Sequence, residues 1–204
     1  MSAKSQVFEQ TYNDYLARIA GLDFSFLAEN LALQANGNEL TVPFFNQPYR
    51  VSAGGIQDSA GQKPHLALCV ILCRYLLMCP LIEPLGGHWT SFKDFKNAAP
   101  LVQAFYNTVT KPISETFTGK TAALEKAAES IGCYPPPEAY PYDVSVQFDA
   151  LPKVSGLLLF NDADEEFPAQ CTVLFERRVE KYLDMECLAM VGMLLCEYLK
   201  AGTH

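Results

Sequence analysis

The stretch from Leu66 to Ile82 constrains this chain more than any other. It is apolar almost throughout, interrupted only by Arg74 and by Pro80 near its end. A helix that is hydrophobic nearly all round belongs in a protein core or in a membrane. This one is slightly short for a bilayer span and carries a charge and a helix breaker, so the expectation is a central buried helix over Leu66–Ile82. Pro64 stands where the first helical turn tolerates proline. His65, Cys69 and Cys73 follow at i, i+4 and i+8, which places a histidine and two thiols on one stripe. Imidazole and thiolate are suitable donors for zinc, iron or a tetrapyrrole metal, so the three form a candidate metal site. The alternative is that Cys69 and Cys73 are small buried hydrophobes and that His65 meets solvent at the helix start.

The chain has 204 residues, enough for one domain with a sizeable core. Its net charge of −8 excludes a surface built for nucleic-acid phosphates, because such binding needs a concentrated positive field. Seven cysteines, an odd number without a CxxC pair or framework spacing, indicate reduced thiols and hence a cytoplasmic location. The first residues, Met1 to Gln10, contain no long apolar core of the kind a secretory signal requires. No membrane association is expected.

Helical spacing of Val7, Phe8, Tyr12, Tyr15, Leu16 and Ile19 predicts an amphipathic helix over 3–20, ended by Gly21. Asp23 is a candidate N-cap for a short helix through Phe26, Leu27 and Leu31. The segments from Leu40 and from Pro48, separated by Asn46-Gln47, predict a β-hairpin. Its Pro43 and Pro48 argue for a sheet edge, since neither can donate a ladder hydrogen bond. Residues 52–61 read as a surface loop, and 83–96 as loop with a short strand. Residues 101–117 suggest one or two short helices divided by Pro112, and 122–131 a helix closed by Gly132. After the proline-rich break at 135–141, Val144, Val146 and Phe148 alternate in a half-buried strand. Residues 156–160 form a continuous apolar strand, Cys171, Val173 and Phe175 a further one, and a core-facing helix closes the chain from Asp184 to Lys200. Strands clustered late, without β-α-β alternation, give an α+β fold. The expectation is a single domain over 1–204, with an antiparallel sheet of about five strands packed against helices.

Gly86-Gly87-His88-Trp89 is the second candidate site. Paired glycines admit close backbone approach, the histidine can act as a base or axial ligand, and the indole offers a stacking face. The same four residues also suit a tight turn leading into a strand. Asp162, Asp164, Glu165 and Glu166 resemble a calcium loop only superficially. Phe167 and Val173 occupy the positions that need glycine and glutamate, and a solvated turn is the better reading. There is no nucleophile-elbow pattern, and no cysteine is flanked by motif residues.

The stretch from Asp164 to Glu176 (DEEFPAQCTVLFE) and the following Lys181-Tyr-Leu-Asp-Met-Glu, together with Val42 to Val51 and Trp89 to Phe95, carry a resemblance across nearly the whole chain. They resemble an uncharacterised domain-of-unknown-function family (number 3786) widespread in anaerobic bacteria and archaea. Some members carry an extra cysteine-rich, iron–sulfur-type segment, which implies by analogy a link to anaerobic redox or corrinoid metabolism. This chain lacks that segment, so the resemblance implies no iron–sulfur cluster here. The matching residues Phe44, Tyr49, Trp89, Phe92, Phe167, Pro168, Phe175 and Tyr182 are mostly aromatic, suited to building a core or to lining a pocket for a flat ligand.

The leading expectation is a non-enzymatic accessory protein of anaerobic metabolism that binds a cofactor, a corrinoid or heme, through Gly86, Gly87, His88, Trp89, Phe92 and Tyr49. A cysteine- or histidine-dependent enzyme is the second expectation and needs a thiol and an imidazole converging in a pocket. The third is a protein-binding accessory subunit without ligand, whose sign is an exposed contiguous apolar patch.

Overall fold

The computed structural model describes residues 3–202, with side chains from residue 9 to residue 202. Helix α1 (Ala3–Ile19) packs on α3 (Leu66–Leu77), with Tyr12 and Ile19 buried. The expected inward faces of Val7 and Phe8 lie outside the described residues. Helix α2 (Phe24–Leu31) starts where its cap predicts: the Asp23 carboxylate accepts from the Ser25 and Phe26 amides at 2.9 and 3.1 Å.

The α+β class holds, but the strands divide differently from the single sheet of about five. Among the described residues there are two antiparallel four-stranded sheets. The first runs in the order β1 (Gln34–Asn36), β2 (Glu39–Phe44), β3 (Gln47–Ser52), β4 (Gly55–Gln57). The outer strands are only three residues each, and the second lies inside the expected 52–61 loop. The hairpin β2–β3 is therefore central, not at an edge. Its prolines are tolerated for a specific reason. Phe44 pairs with Gln47 across a two-residue turn, so the next pair, Pro43 with Pro48, is non-hydrogen-bonded. Both proline nitrogens then point away from the hairpin, past the ends of β1 and β4, whose pairing stops at Thr41 and Arg50. The turn itself is Phe45-Asn46, one residue earlier than expected, with φ of 44° and 62°. Positive φ at both positions is the type I′ geometry that matches strand twist.

The second sheet has the order β5 (Trp89–Ser91), β8 (Gln170–Glu176), β7 (Val154–Asn161), β6 (Val144–Leu151). Strand β7 is central and buried along almost its whole length. Gly156 is required there because a Cβ would stand 2.1 Å from the Phe148 ring. The hairpin tip joins the sheets: the Phe45 amide donates to the Ala150 carbonyl at 3.1 Å, and the Phe45 ring lies 5.6 Å from Phe148 and 5.7 Å from Tyr198. One cluster of buried residues runs through both sheets and α7 (Met185–Ala201).

Residues 102–117 are helical throughout, in three pieces: α4 (Val102–Phe105), a π turn (Tyr106–Thr110) and α5 (Lys111–Phe117). Pro112 does not divide them. The wider π turn lies where a proline would otherwise strain a regular helix, so the stretch continues through it. Helix α6 (Thr121–Ser130) and α7 pack on the far side. Helix α3 stops at Leu77, short of the expected Ile82, and His65 is its N-cap, so Pro64 precedes the helix instead of opening it. No helix among the described residues is long and apolar enough to cross a membrane.

Candidate functional site

The early end of α3 leaves residues 78–88 as an irregular connection to β5. Pro80 and Pro84 forbid regular pairing within it. Its three large aliphatic side chains stand in solvent: Leu81 is 83 %, Ile82 84 % and Leu85 96 % exposed. The charged residue among them, half exposed, pairs with the body of the protein. Glu83 Oε1 accepts from Lys153 Nζ at 2.6 Å and from Arg178 Nη1 at 3.3 Å. Arg178 Nε in turn reaches Glu176 Oε2 at 2.5 Å, and Glu176 Oε1 accepts the Gly87 amide at 2.7 Å. One chain of charge-assisted contacts thus fastens the loop at Glu83 and Gly87 to the β6–β7 turn and to the end of β8.

The paired glycines serve this attachment. A Cβ on Gly86 would sit 2.3 Å from the Glu176 carboxylate, and Gly87 has φ of +102°. The Lys153 hydrogen bond and charge, with Arg178 adding to them, hold the Glu83 carboxyl below its ordinary value of 4.5. Tyr75 and Tyr182 lie nearby, both buried, their ring centroids 6.1 Å apart. Burial pushes the Tyr75 phenol far upward, partly offset by the Lys153 backbone.

The remaining candidates are dispersed. His88 is exposed, and only its carbonyl is engaged, by the Arg177 amide at 2.7 Å. Trp89 is half-buried in β5 opposite Glu176. Phe92 is a core residue stacked on Phe105 at 4.2 Å and 4°. Tyr49 belongs to the other sheet and lines a hollow of about 350 Å³ with Phe45 and Tyr198. The structure therefore joins Gly86, Gly87, His88 and Trp89 in sequence only, and places Phe92 and Tyr49 elsewhere.

His65 is exposed, whereas Cys69 and Cys73 are completely buried. Burial raises the Cys69 thiol to about 11 and, with Cys69 adding, the Cys73 thiol to about 12, so neither offers a thiolate at neutral pH. Among the described residues no three His, Cys, Asp or Glu side chains are gathered as a metal ion requires. Burial raises the other five thiols as well. The acidic turn closes on itself: Asp164 accepts from the Glu166 and Phe167 amides at 2.8 and 2.6 Å.

Residues 83–88 are loop as expected, whereas 78–82 were expected in the helix because they continue the apolar run of α3. Pro80 and Pro84, four residues apart around Leu81-Ile82-Glu83, were the available signal. The ion pairs that hold the loop come from residues about 70 and 95 positions away.

These features define an α+β domain of two antiparallel sheets with an apolar loop fastened to one end of the second. Residues 23–198 match the family described as a domain of unknown function (DUF3786), and the chain belongs to that family. Comparison with curated proteins and with solved structures gives no match.

Proposed function

We propose that this protein is a cytoplasmic, non-enzymatic accessory domain that docks a partner protein through the loop at 80–85. One observation carries this reading: the loop presents Leu81, Ile82 and Leu85 almost wholly to water while its half-exposed carboxylate pairs with Lys153 and Arg178. A loop selected only for solubility would do the reverse. Contiguous aliphatic side chains held outward on a fixed backbone match the anchors at the centre of a protein interface, where they fill pockets on the partner. The attachment matters for affinity, since a loop already held in place loses less entropy on binding. Seven unpaired thiols fit a reducing compartment.

A planar cofactor would call for Gly86, Gly87, His88, Trp89, Phe92 and Tyr49 around one cavity, and their dispersal makes the protein-binding reading the better supported. A thiol nucleophile would call for an environment that favours thiolate, and burial acts against it at all seven cysteines.

The test is photocrosslinking in the native cell with a benzophenone side chain at position 85. The expected result is one discrete adduct with a different protein, abolished by Ile82→Asp in a variant that retains its melting temperature. No adduct, an adduct insensitive to Ile82→Asp, or an adduct only with a second copy of this chain overturns the proposal.

A further inference from the structure

The second sheet has an unfinished edge. Strand β5 is three residues long and pairs only with Leu174–Glu176 of β8. After Ser91 the chain turns away through a 3₁₀ turn, Phe92–Asp94. Residues 170–173 of β8 therefore have β7 on one side and, among the described residues, no strand on the other.

The hydrogen-bond phase shows which groups face the open side. The Arg177 amide donates to the His88 carbonyl, making 88 and 177 a hydrogen-bonded pair. Alternation along an antiparallel ladder then directs the N–H and C=O of 175, 173 and 171 toward the β5 side. The opposite edge gives the same phase independently. Tyr134 and Gln147 exchange both bonds, at 2.8 and 2.9 Å, outside β6. It follows that 146 and 148 bond to β7, and that 170, 172 and 174 of β8 bond to β7 as well. Among the described residues, no backbone hydrogen bond joins Cys171 or Val173 to a group beyond the sheet. Val173, 2 % exposed as a whole residue, borders the hollow at this edge. A strand edge left without a neighbour is a template for pairing with another chain.

A groove runs along this edge. Two adjoining hollows of about 190 and 340 Å³ share Tyr106, Thr110, Cys171 and Thr172. One bank is the β8 edge. The other is the helical stretch through the π turn, which presents Tyr106, Thr110 and Ser114 one turn apart. Tyr106 is half exposed, so its ring is available to a ligand. The lining also has a distinct charge. It includes Lys93 and Lys111 and no carboxylate, on a chain with 23 acidic and 15 basic residues. Lys93 has no ion-pair partner among the described residues, and Lys111 has only an exposed contact at 3.7 Å to Glu115.

We propose that this groove binds an extended acidic peptide segment of a partner protein as a strand antiparallel to β8, hydrogen-bonded to Cys171 and Val173 and flanked by Tyr106, Lys93 and Lys111. The free edge of four residues spans about 13 Å, enough for two reciprocal hydrogen-bonded pairs. Main-chain bonds supply affinity in this mode, and pockets for alternate side chains supply specificity. The added strand would continue the line of β5. The site rests on the β8 edge and not on the loop at 80–85, so the two proposals fail independently.

The test is display selection of random ten-residue peptides on the full chain, followed by affinity measurement of the recovered peptides. Enrichment of acidic peptides is expected, with binding that slows exchange of the Cys171 and Val173 amides. Tyr106→Ala is expected to weaken binding about tenfold, and Lys93→Glu with Lys111→Glu by at least about tenfold, or 1.4 kcal/mol. Peptides N-methylated at alternate residues should not bind, whereas Leu85→Ser should leave binding unchanged. Failure to enrich any peptide, enrichment indifferent to the lysine reversals, or protection of the two amides by self-association in sedimentation would each overturn it. The last result would identify the lysines as guards of a sheet edge that pairs with a second copy.

Discussion

Two connections in this molecule are tipped with large apolar side chains, and both meet the β6–β7 hairpin, one at Ala150 and one at Lys153. The β2–β3 turn carries Phe44 and Phe45, buried to 0 and 3 % exposure, while the loop after α3 carries Leu81, Ile82 and Leu85 in open solvent. The buried tip holds a phenylalanine at φ +44°, a conformation that bulky side chains rarely adopt. Its compensation is specific: a ring packed against Phe148 and Tyr198, an amide bonded to Ala150, and Asn46 seated on Gly132, where a Cβ would lie 1.8 Å from its amide nitrogen. The exposed tip is held by ion pairs, and no apolar group among the described residues covers it. Hydrophobicity at a turn thus says that a partner surface exists. Whether that surface belongs to the same chain is decided by what the rest of the fold brings there.

The largest effect is expected at the buried tip. Phe45→Ala removes the ring that bridges the sheets and is expected to destabilise the protein by about 3 to 5 kcal/mol, read by urea unfolding. Because alanine also prefers negative φ, the variant gains no relief from the backbone. A loss below about 1 kcal/mol would mean that the tip is not a structural bridge, and the contrast between the two turns would disappear.

A smaller and pH-dependent effect belongs to the attachment of the exposed loop. The Glu83 carboxyl is held below 4.5 by Lys153, first through its hydrogen bond, with Arg178 assisting. A folded pKa below the unfolded one stabilises the native state above the unfolded value, and the contribution fades as pH falls through the folded value. Glu83→Gln should therefore lower the melting temperature slightly at pH 7, by an amount that shrinks as pH falls below 4.5. Amide exchange at Gly87 should quicken in the variant, since the contact chain from Lys153 to Glu176 is broken at its centre. A difference that does not shrink as pH falls would mean that the carboxylate charge is not what fastens the loop.

Much of the scaffold was legible in the sequence, because its elements rest on local patterns. The alternation of Val144, Val146 and Phe148, the apolar run of β7, the Asp23 cap and the core face of α7 all survive in the structure. Departures arise where a distant contact overrides a local rule. Pro43 and Pro48 suggested an edge, but facing one another at a non-hydrogen-bonded pair they sit in central strands. Phe45 concealed the turn because its positive φ is sustained by residues some 100 to 150 positions away. The same holds for the site. His65, Cys69 and Cys73 share a helix stripe as their spacing said, yet the stripe passes from solvent into fully buried core. The ion pairs around Glu83 have no sequence signature at all.

The smallest expected effect is the most discriminating. Replacing Leu81, Ile82 and Leu85 together by serine removes three large side chains, and in a core this would cost many kcal/mol. Here each is exposed in the folded protein much as it is in the unfolded chain, so each replacement should change stability by no more than about 0.5 kcal/mol. The sum is expected near zero, with solubility raised, in chemical denaturation of the isolated protein. A marked loss of stability would show that the loop packs on its own fold in solution, and the resemblance to the hairpin tip would then be complete. If stability is unchanged while serine at 81 and 82 alone abolishes the crosslink from position 85 in the cell, the exposed aliphatic side chains have been separated from folding and assigned to binding.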